Sequence, residues 1–214
     1  MTVSSVFDRA LTRAAAGSPV VLTVRDDDSG AEQHADAASW CRTQLAGDRR
    51  LLDRCSGPTL DIGCGPGRLT AALAGRGVVA LGVDSSRTAV RLTRRRGGSA
   101  LHRNVFDHVP GEGRWRHALL ADGNIGIGGD PVVLLRRAAR LIAADGDVLV
   151  ELEPPGLGLR HERVRLRPGH ADVAWFTWAW VGVDAIAEVA LRAGLRVDWT
   201  TRRGHRWFAR LERS

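Results

Sequence analysis

An apolar run that stops in a turn stripped of side chains limits the possible folds of this chain more than any other feature. From Leu60 to Arg68 the sequence reads L-D-I-G-C-G-P-G-R, so a short apolar segment passes directly into glycines at 63, 65 and 67. Glycine accepts positive φ and lets a ligand approach the backbone, and the amides that open a following helix point toward a polar ligand. A second apolar run, Val78 to Val83, comes next and ends at Asp84. Strand, glycine turn, helix and a strand ending in an acid begin a doubly wound α/β sheet with a nucleotide pocket, and a carboxylate at that strand end can accept both ribose hydroxyls.

The alternation continues along the chain. Leu69 to Arg76 and Ser86 to Arg96 read as helices, the latter with Ser85 or Ser86 as N-cap, and Ala100 to Asn104 and Trp115 to Asp122 read as strands. Asp130-Pro131 predicts the start of a helix to Ala144, with Val132, Leu135, Ala139 and Ile142 on one stripe and a stop at Asp145-Gly146. Asp147 to Leu152 is a fifth strand, Val183 to Ala193 a helix ended by Gly194, and Arg196 to Thr201 with Arg206 to Leu211 flank a turn suited to an antiparallel hairpin. No repeat or linker interrupts this order.

Composition narrows the class. With 214 residues, 44% of them hydrophobic, the chain suits one domain with a full core. No apolar run approaches the ~20 residues of a membrane span, and Met1 to Arg9 lacks a basic start and an apolar stretch, so a cytoplasmic protein is expected. Cys41, Cys55 and Cys64 have no metal-ligand spacing and read as reduced thiols, and no metal is expected. The formal charge of +7 would favour a nucleic-acid partner, but every basic residue is Arg, which reads as a bias of the whole chain. Arg94 to Arg96 falls at a helix end, where cations complement the dipole, and no aromatic stripe accompanies it. Nucleic acid is therefore disfavoured as a partner, and oligomeric state is not readable.

The glycine spacing separates two ligands. Dinucleotide folds use G-x-G-x-x-G around a pyrophosphate, whereas here G-x-G-x-G follows Asp61, whose charge would repel a pyrophosphate and favour a cation. This acidic pattern resembles motif I of the class I S-adenosylmethionine-dependent methyltransferases, and the resemblance extends over roughly residues 55 to 212. It implies a Rossmann-like, seven-stranded, mostly parallel sheet closed by a C-terminal antiparallel hairpin, with S-adenosylmethionine as cofactor. Carried over by position, it implies contact of Asp61, Gly63, Gly65 and Gly67 with the methionine part and of Asp84 with the ribose. Asn104 stands where the family often has an acid at the adenine, with Val105 or Phe106 over the ring and Asp107 as the other possible match. The segment L-L-A-D-G-N resembles motif IV, which would set Asp122 and Asn124 beside the transferring methyl; the other reading of Asp122 is a turn former before Gly123.

Two regions outside the shared core are expected to choose the acceptor. Residues 1–54 suggest a helical and hairpin cap, followed by a cofactor core at 55–153, an inserted hairpin at 154–182 around Pro168-Gly169-His170, and a closing helix and hairpin at 183–214. Period two in A-W-F-T-W-A-W-V puts Phe176, Trp178 and Trp180 on one face and Trp175 on the other, either packed on the sheet or stacked on a flat substrate. Methyl transfer needs in-line geometry and, for acceptors of high pKa, a base. With no Tyr or Lys in the chain, the candidates are Asp122, Glu151, Glu153 and His161, then His34, His170 and His205. The expected function is methylation of a small molecule, in keeping with a bacterial secondary metabolite. An RNA methyltransferase and a non-catalytic cofactor-binding partner protein are the alternatives.

Overall fold

The structure is a computed structural model and describes residues 3–18, 20–26, 32–167 and 175–214. Its centre is a seven-stranded sheet built from β3 (Thr59–Ile62), β4 (Ala80–Asp84), β5 (Ser99–His102), β6 (Trp115–Leu120), β7 (Ile142–Leu152), β10 (Leu195–Arg203) and β11 (Arg206–Arg213), in the order β10-β11-β7-β6-β3-β4-β5. The five strands from β5 to β7 run parallel, and the β10–β11 hairpin returns antiparallel against β7. The order reverses between β3 and β6. Ligands bind at such a switch point, outside the carboxyl ends of the strands.

The central strands are apolar without alternation because both of their faces are covered. Leu60, Ala118, Leu120, Val148 and Val150 pack on one side with α6 (Pro131–Leu141) and α7 (Ile186–Arg192), through Leu135, Ala138, Ile186 and Val189. Leu119, Leu149 and Phe208 pack on the other with α3 (Arg49–Leu52) and α4 (Arg68–Ala74), through Leu51, Leu69 and Leu73. Each fully buried leucine contributes about 1.5–3 kcal/mol. The caps follow the sequence: Ser86 Oγ accepts from Ala89 N at the start of α5 (Arg87–Arg95), and Asp130 accepts from Val132 N and Val133 N at the start of α6.

The expected end of α6 at Ala144 is corrected. The helix stops at Leu141 and β7 begins at Ile142, so Asp145-Gly146 lies within the strand. A Cβ on Gly146 would come within 2.9 Å of the Trp115 carbonyl, and the β6–β7 register shifts beside it, between Trp115 and His117. The glycine thus serves a bulge and not a helix stop.

The two regions outside the core form one structure. Helix α1 (Val3–Ala15) precedes a hairpin of β1 (Val21–Asp26) and β2 (Glu32–Asp36), followed by the short α2 (Ala37–Trp40). The inserted strands β8 (Leu159–Arg167) and β9 (Phe176–Val181) form a second hairpin, and β1 pairs antiparallel with β8 to give a four-stranded sheet ordered β2-β1-β8-β9. Cap and insertion therefore share a hydrogen-bond ladder. The turn expected at Pro168-Gly169-His170 lies outside the described residues. Among the described residues, no helix is long and apolar enough to cross a membrane and no cluster of potential metal ligands is found.

Candidate functional site

The glycine turn runs from the end of β3 into α4. Gly63, Gly65 and Gly67 all have positive φ, at 70°, 53° and 83°. At Gly67 the requirement is also steric, because a Cβ would lie 2.5 Å from Thr93 Cγ2 and 2.7 Å from Thr93 Cα. Gly65 differs: a Cβ there would meet nothing within 4 Å, so this residue faces open space. The amide of Asn124 holds the turn from across the sheet, donating from Nδ2 to the carbonyls of Ile62 (2.9 Å) and Gly63 (2.8 Å).

Carboxylates line the floor beside this turn. Asp61 is buried, accepts from Thr70 Oγ1 at 2.6 Å, and is pushed up to about 6 by burial, partly offset by that hydroxyl. Asp84 accepts from Gly65 N (2.9 Å) and Ser86 N (2.7 Å), yet burial outweighs both amides and its carboxyl sits above its ordinary value. An acidic floor facing an open backbone turn fits a cation with a ribose attached and disfavours a pyrophosphate.

The third acid, Asp122, lies in a turn beyond β6 and, among the described residues, is the non-glycine residue with positive φ, 54°. Such a conformation costs about 1–3 kcal/mol and persists where its surroundings hold it. Arg68 grips both of its oxygens, its N–H donates to Glu151 Oε2 at 2.8 Å, and Arg206 Nη2 stands 3.4 Å from Oδ1. Arg206 also forks onto Glu151 with two bonds of 2.7 Å and reaches Asp48 Oδ1 (2.9 Å) and the Ala46 carbonyl (2.9 Å). Asp48, 1% exposed, pairs with Arg68 as well. Burial opposes its charge, but Arg68, the Leu45 amide and Arg206 together hold it below the usual carboxylate range. Five charged groups from five stretches of chain thus lock the motif at Asp122.

A cleft of about 700 Å³ runs from the glycine turn and Asp84 past Asn104 and Val105 to Glu153 and β9. Helix α1 closes one side: Asp8 accepts from Ser86 Oγ and Thr88 N (3.0 Å) at the start of α5, and Phe7 lies with Trp40, ring centroids 6.0 Å apart, in the cleft wall. Opposite stands β9. Ala179 and Val181 are fully buried on one side of the strand, while Phe176, Trp178 and Trp180 on the other are half-buried and line the cleft. Gly126 makes this close packing feasible, since a Cβ there would lie 2.4 Å from the Trp178 indole nitrogen.

The candidate residues therefore differ in what their side chains do. Asp61, Gly63, Gly65, Asp84, Asn104, Val105, Asp122, Glu151 and Glu153 line the cleft, whereas Gly67 supports it from behind. Asn104 Oδ1 accepts from Phe106 N (3.1 Å), and the 105–107 segment is pinned by Arg137 to the carbonyls of Val105 (2.8 Å) and Asp107 (2.6 Å). Asp107 and Phe106 are exposed and outside the cleft lining. Glu151 is engaged on both oxygens by Arg206. His161 is exposed outside the cleft lining and donates from Nδ1 to the Gly129 carbonyl at 2.8 Å, while His205 lines the cleft from the β10–β11 turn. His170 and the side chain of His34 lie outside the described residues. Sequence reasoning missed Asp48, Arg68 and Arg206. Arg68 carried a local signal, since it closes the glycine turn, but the partners of Arg206 lie too far away in sequence for any spacing to show.

The family model described as a methyltransferase domain matches residues 60–150. Among curated proteins, the uncharacterised protein Rv2003c of Mycobacterium tuberculosis is 32% identical over 143 residues, 64% of this chain and 48% of the relative. The chain thus spans about half the length of the curated relatives it matches. Among solved structures, an S-adenosylmethionine-dependent methyltransferase from Bacteroides fragilis, in complex with S-adenosyl-L-homocysteine, superimposes with a TM-score of 0.80 at 20% identity, covering 97% of this chain and 94% of that one. The 1,6-didemethyltoxoflavin-N1-methyltransferase of Burkholderia thailandensis gives 0.58 at 20% identity, with 78% and 74% covered. At these identities the structural likeness is one of fold. The domain match, however, falls on the very strands that carry the glycine turn and Asp84, so residues 60–150 of this chain are similar to a methyltransferase domain.

Proposed function

We propose that this chain transfers a methyl group from S-adenosylmethionine to a small-molecule acceptor held between the carboxyl edge of the seven-stranded sheet and β9. The observation that carries this reading is the continuity of the cleft: one cavity of about 700 Å³ joins the glycine turn and Asp84 to an aromatic wall, with α1 along its side. Its size is within the range of small-molecule sites. The Burkholderia enzyme, whose structure holds 1,6-didemethyltoxoflavin and S-adenosylhomocysteine, supports the same class.

In this reading Asp84 receives the ribose hydroxyls, Asp61 and Asp122 face the cationic part of the cofactor, and Asn104 and Val105 border the adenine. The cofactor supplies an electrophilic methyl on a sulfonium. The chain's own work is to orient and to exclude water: the turn is braced by Asn124, Asp122 is fixed by Arg68 and Arg206, and the cap and insertion form the acceptor side. Residues 55–153 then make the cofactor core, closed by the helix and hairpin of 183–214, with 1–54 and 154–182 grafted on it. Basic side chains along α5, Arg87, Arg91 and Arg95, favour RNA as a second reading, which predicts RNA binding that falls steeply with salt.

Calorimetric titration with S-adenosylhomocysteine tests the reading, with NAD and an Asp84→Asn variant as controls. Saturable binding weakened in the variant is expected. Heat with NAD and none with S-adenosylhomocysteine would overturn the reading.

A further inference from the structure

Four carboxylates line the cleft between the glycine turn and β9 in addition to Asp61: Asp84, Asp122, Glu151 and Glu153. Three have partners. Asp84 holds two backbone amides, Asp122 is gripped by Arg68, and Glu151 is forked by Arg206. Glu153 stands one strand period beyond Glu151 and so projects from the same face of the sheet edge. Its carboxylate takes no hydrogen bond or ion pair from any described residue, although its backbone is fixed by Glu153 N donating to Val181 O (2.9 Å) and by Val183 N donating to Glu153 O (3.0 Å). Burial and the neighbouring Glu151 push this carboxyl above its ordinary value, which Arg160 partly offsets. Arg160 is not in the cleft lining. It pairs with Glu162 (3.2 Å) and lies over the Trp180 ring, 5.6 Å from the centroid.

The wall beside Glu153 is aromatic. Phe176 meets Trp178 edge-on, with centroids 6.2 Å apart at 82°, and Trp178 and Trp180 present half-buried rings to the cleft. An unpaired carboxylate next to ring faces is a receptor for an ammonium group on an apolar body: the carboxylate supplies the charge, and the rings supply cation–π attraction and contact area. A carboxylate or phosphate on the acceptor would meet the like charge of Glu153, and a neutral alcohol would leave that charge unused.

Building on the function proposed above, we propose that the acceptor is an amine on a planar apolar scaffold, seated on Trp178 and Trp180 with its nitrogen at Glu153, and that the reaction is N-methylation. Glu153 takes one proton from the entering ammonium. The freed nitrogen lone pair forms the new N–C bond as the C–S bond breaks, sulfur keeps that bond's electron pair, and S-adenosylhomocysteine leaves beside an N-methylammonium. Glu153 passes its proton to solvent.

Isosteric probes separate this from the other acceptor chemistries. Protein saturated with S-adenosylhomocysteine is titrated calorimetrically with tryptamine, tryptophol and indole-3-propionate, and with phenethylamine, 2-phenylethanol and 3-phenylpropionate. The amines are expected to bind roughly tenfold or more tighter than the matching alcohols, with the acids weakest, and Glu153→Gln is expected to bring amine and alcohol level. Equal or tighter binding of the alcohols or acids, an amine preference that survives in Glu153→Gln, or no amine binding at millimolar concentration would each overturn the proposal. Wild-type protein that fails to bind S-adenosylhomocysteine at the outset would instead refute the methyltransferase reading. A Glu153→Asp variant, which keeps the charge on a shorter arm, should retain the amine preference at reduced affinity. Retention of that preference separates recognition from a merely structural role.

Discussion

Replacing Arg206 with Met keeps the apolar stem and removes a guanidinium that serves three acids. In the wild-type protein two guanidiniums face three carboxylates, Asp48, Asp122 and Glu151, with side chains 1%, 29% and 13% exposed. The substitution leaves Arg68 alone among them. Removing one partner of a buried pair costs about 3–5 kcal/mol. Arg68 still neutralises Asp48, and Asp122 and Glu151 reach some solvent, so the lower end applies, about 3 kcal/mol. For a chain of this size that loss lowers Tm by roughly 6–12 °C. The stranded carboxyls should then have folded pKa values above their unfolded ones. A raised acid stabilises below its unfolded pKa and loses that contribution as pH rises through its folded pKa. The deficit of the variant should therefore be largest near pH 8 and shrink toward pH 5. Urea unfolding of both proteins at the two pH values measures it. A deficit below about 1 kcal/mol, or one that grows on acidification, would show that the network does not hold the site as argued.

Other outcomes follow from the same geometry. Gly67→Ala should cost about 2–4 kcal/mol, combining a left-handed backbone with a clash on Thr93, and should abolish S-adenosylhomocysteine binding in a calorimeter. Asn124→Ala leaves the Ile62 and Gly63 carbonyls without their side-chain donor; cofactor affinity should fall about tenfold while the folded state persists, read by titration and by circular dichroism. Because burial places Asp61 at about 6, affinity for the cationic cofactor should weaken as pH falls through that value, whereas Asp61's own contribution to stability runs the other way, largest in acid and lost as pH rises through about 6. Asp61→Asn should flatten the binding profile.

The glycine turn, Asp84, the order of strands and helices and the closing hairpin were legible because each has a local signature: removed side chains, an acid at a strand end, a cap or a period. The end of α6 was misread because Asp145-Gly146 has the composition of a helix stop, and only the Trp115 and Arg116 carbonyls facing Gly146 reveal a bulge. The charge network was illegible for another reason. Arg206 meets Asp48 and Glu151 only after the hairpin folds back on β7, and no spacing encodes a contact between residues that far apart. The face pattern of β9 was visible as alternation, but which face closes on Gly126 depends on β8 and the second sheet.

The ladder between β1 and β8 has a bearing on how acceptor choice can change. Thr23 to Asp26 pair with Val164 to Arg167, so the first hairpin and the insertion are halves of one module though over a hundred residues separate them. A chimera that imports the insertion alone would leave the β1 edge without its matching register, exposing unpaired amides and carbonyls to other chains. Recombination should therefore succeed only when residues 21–36 and 159–181 travel together, with the sheet beneath left as an interchangeable chassis.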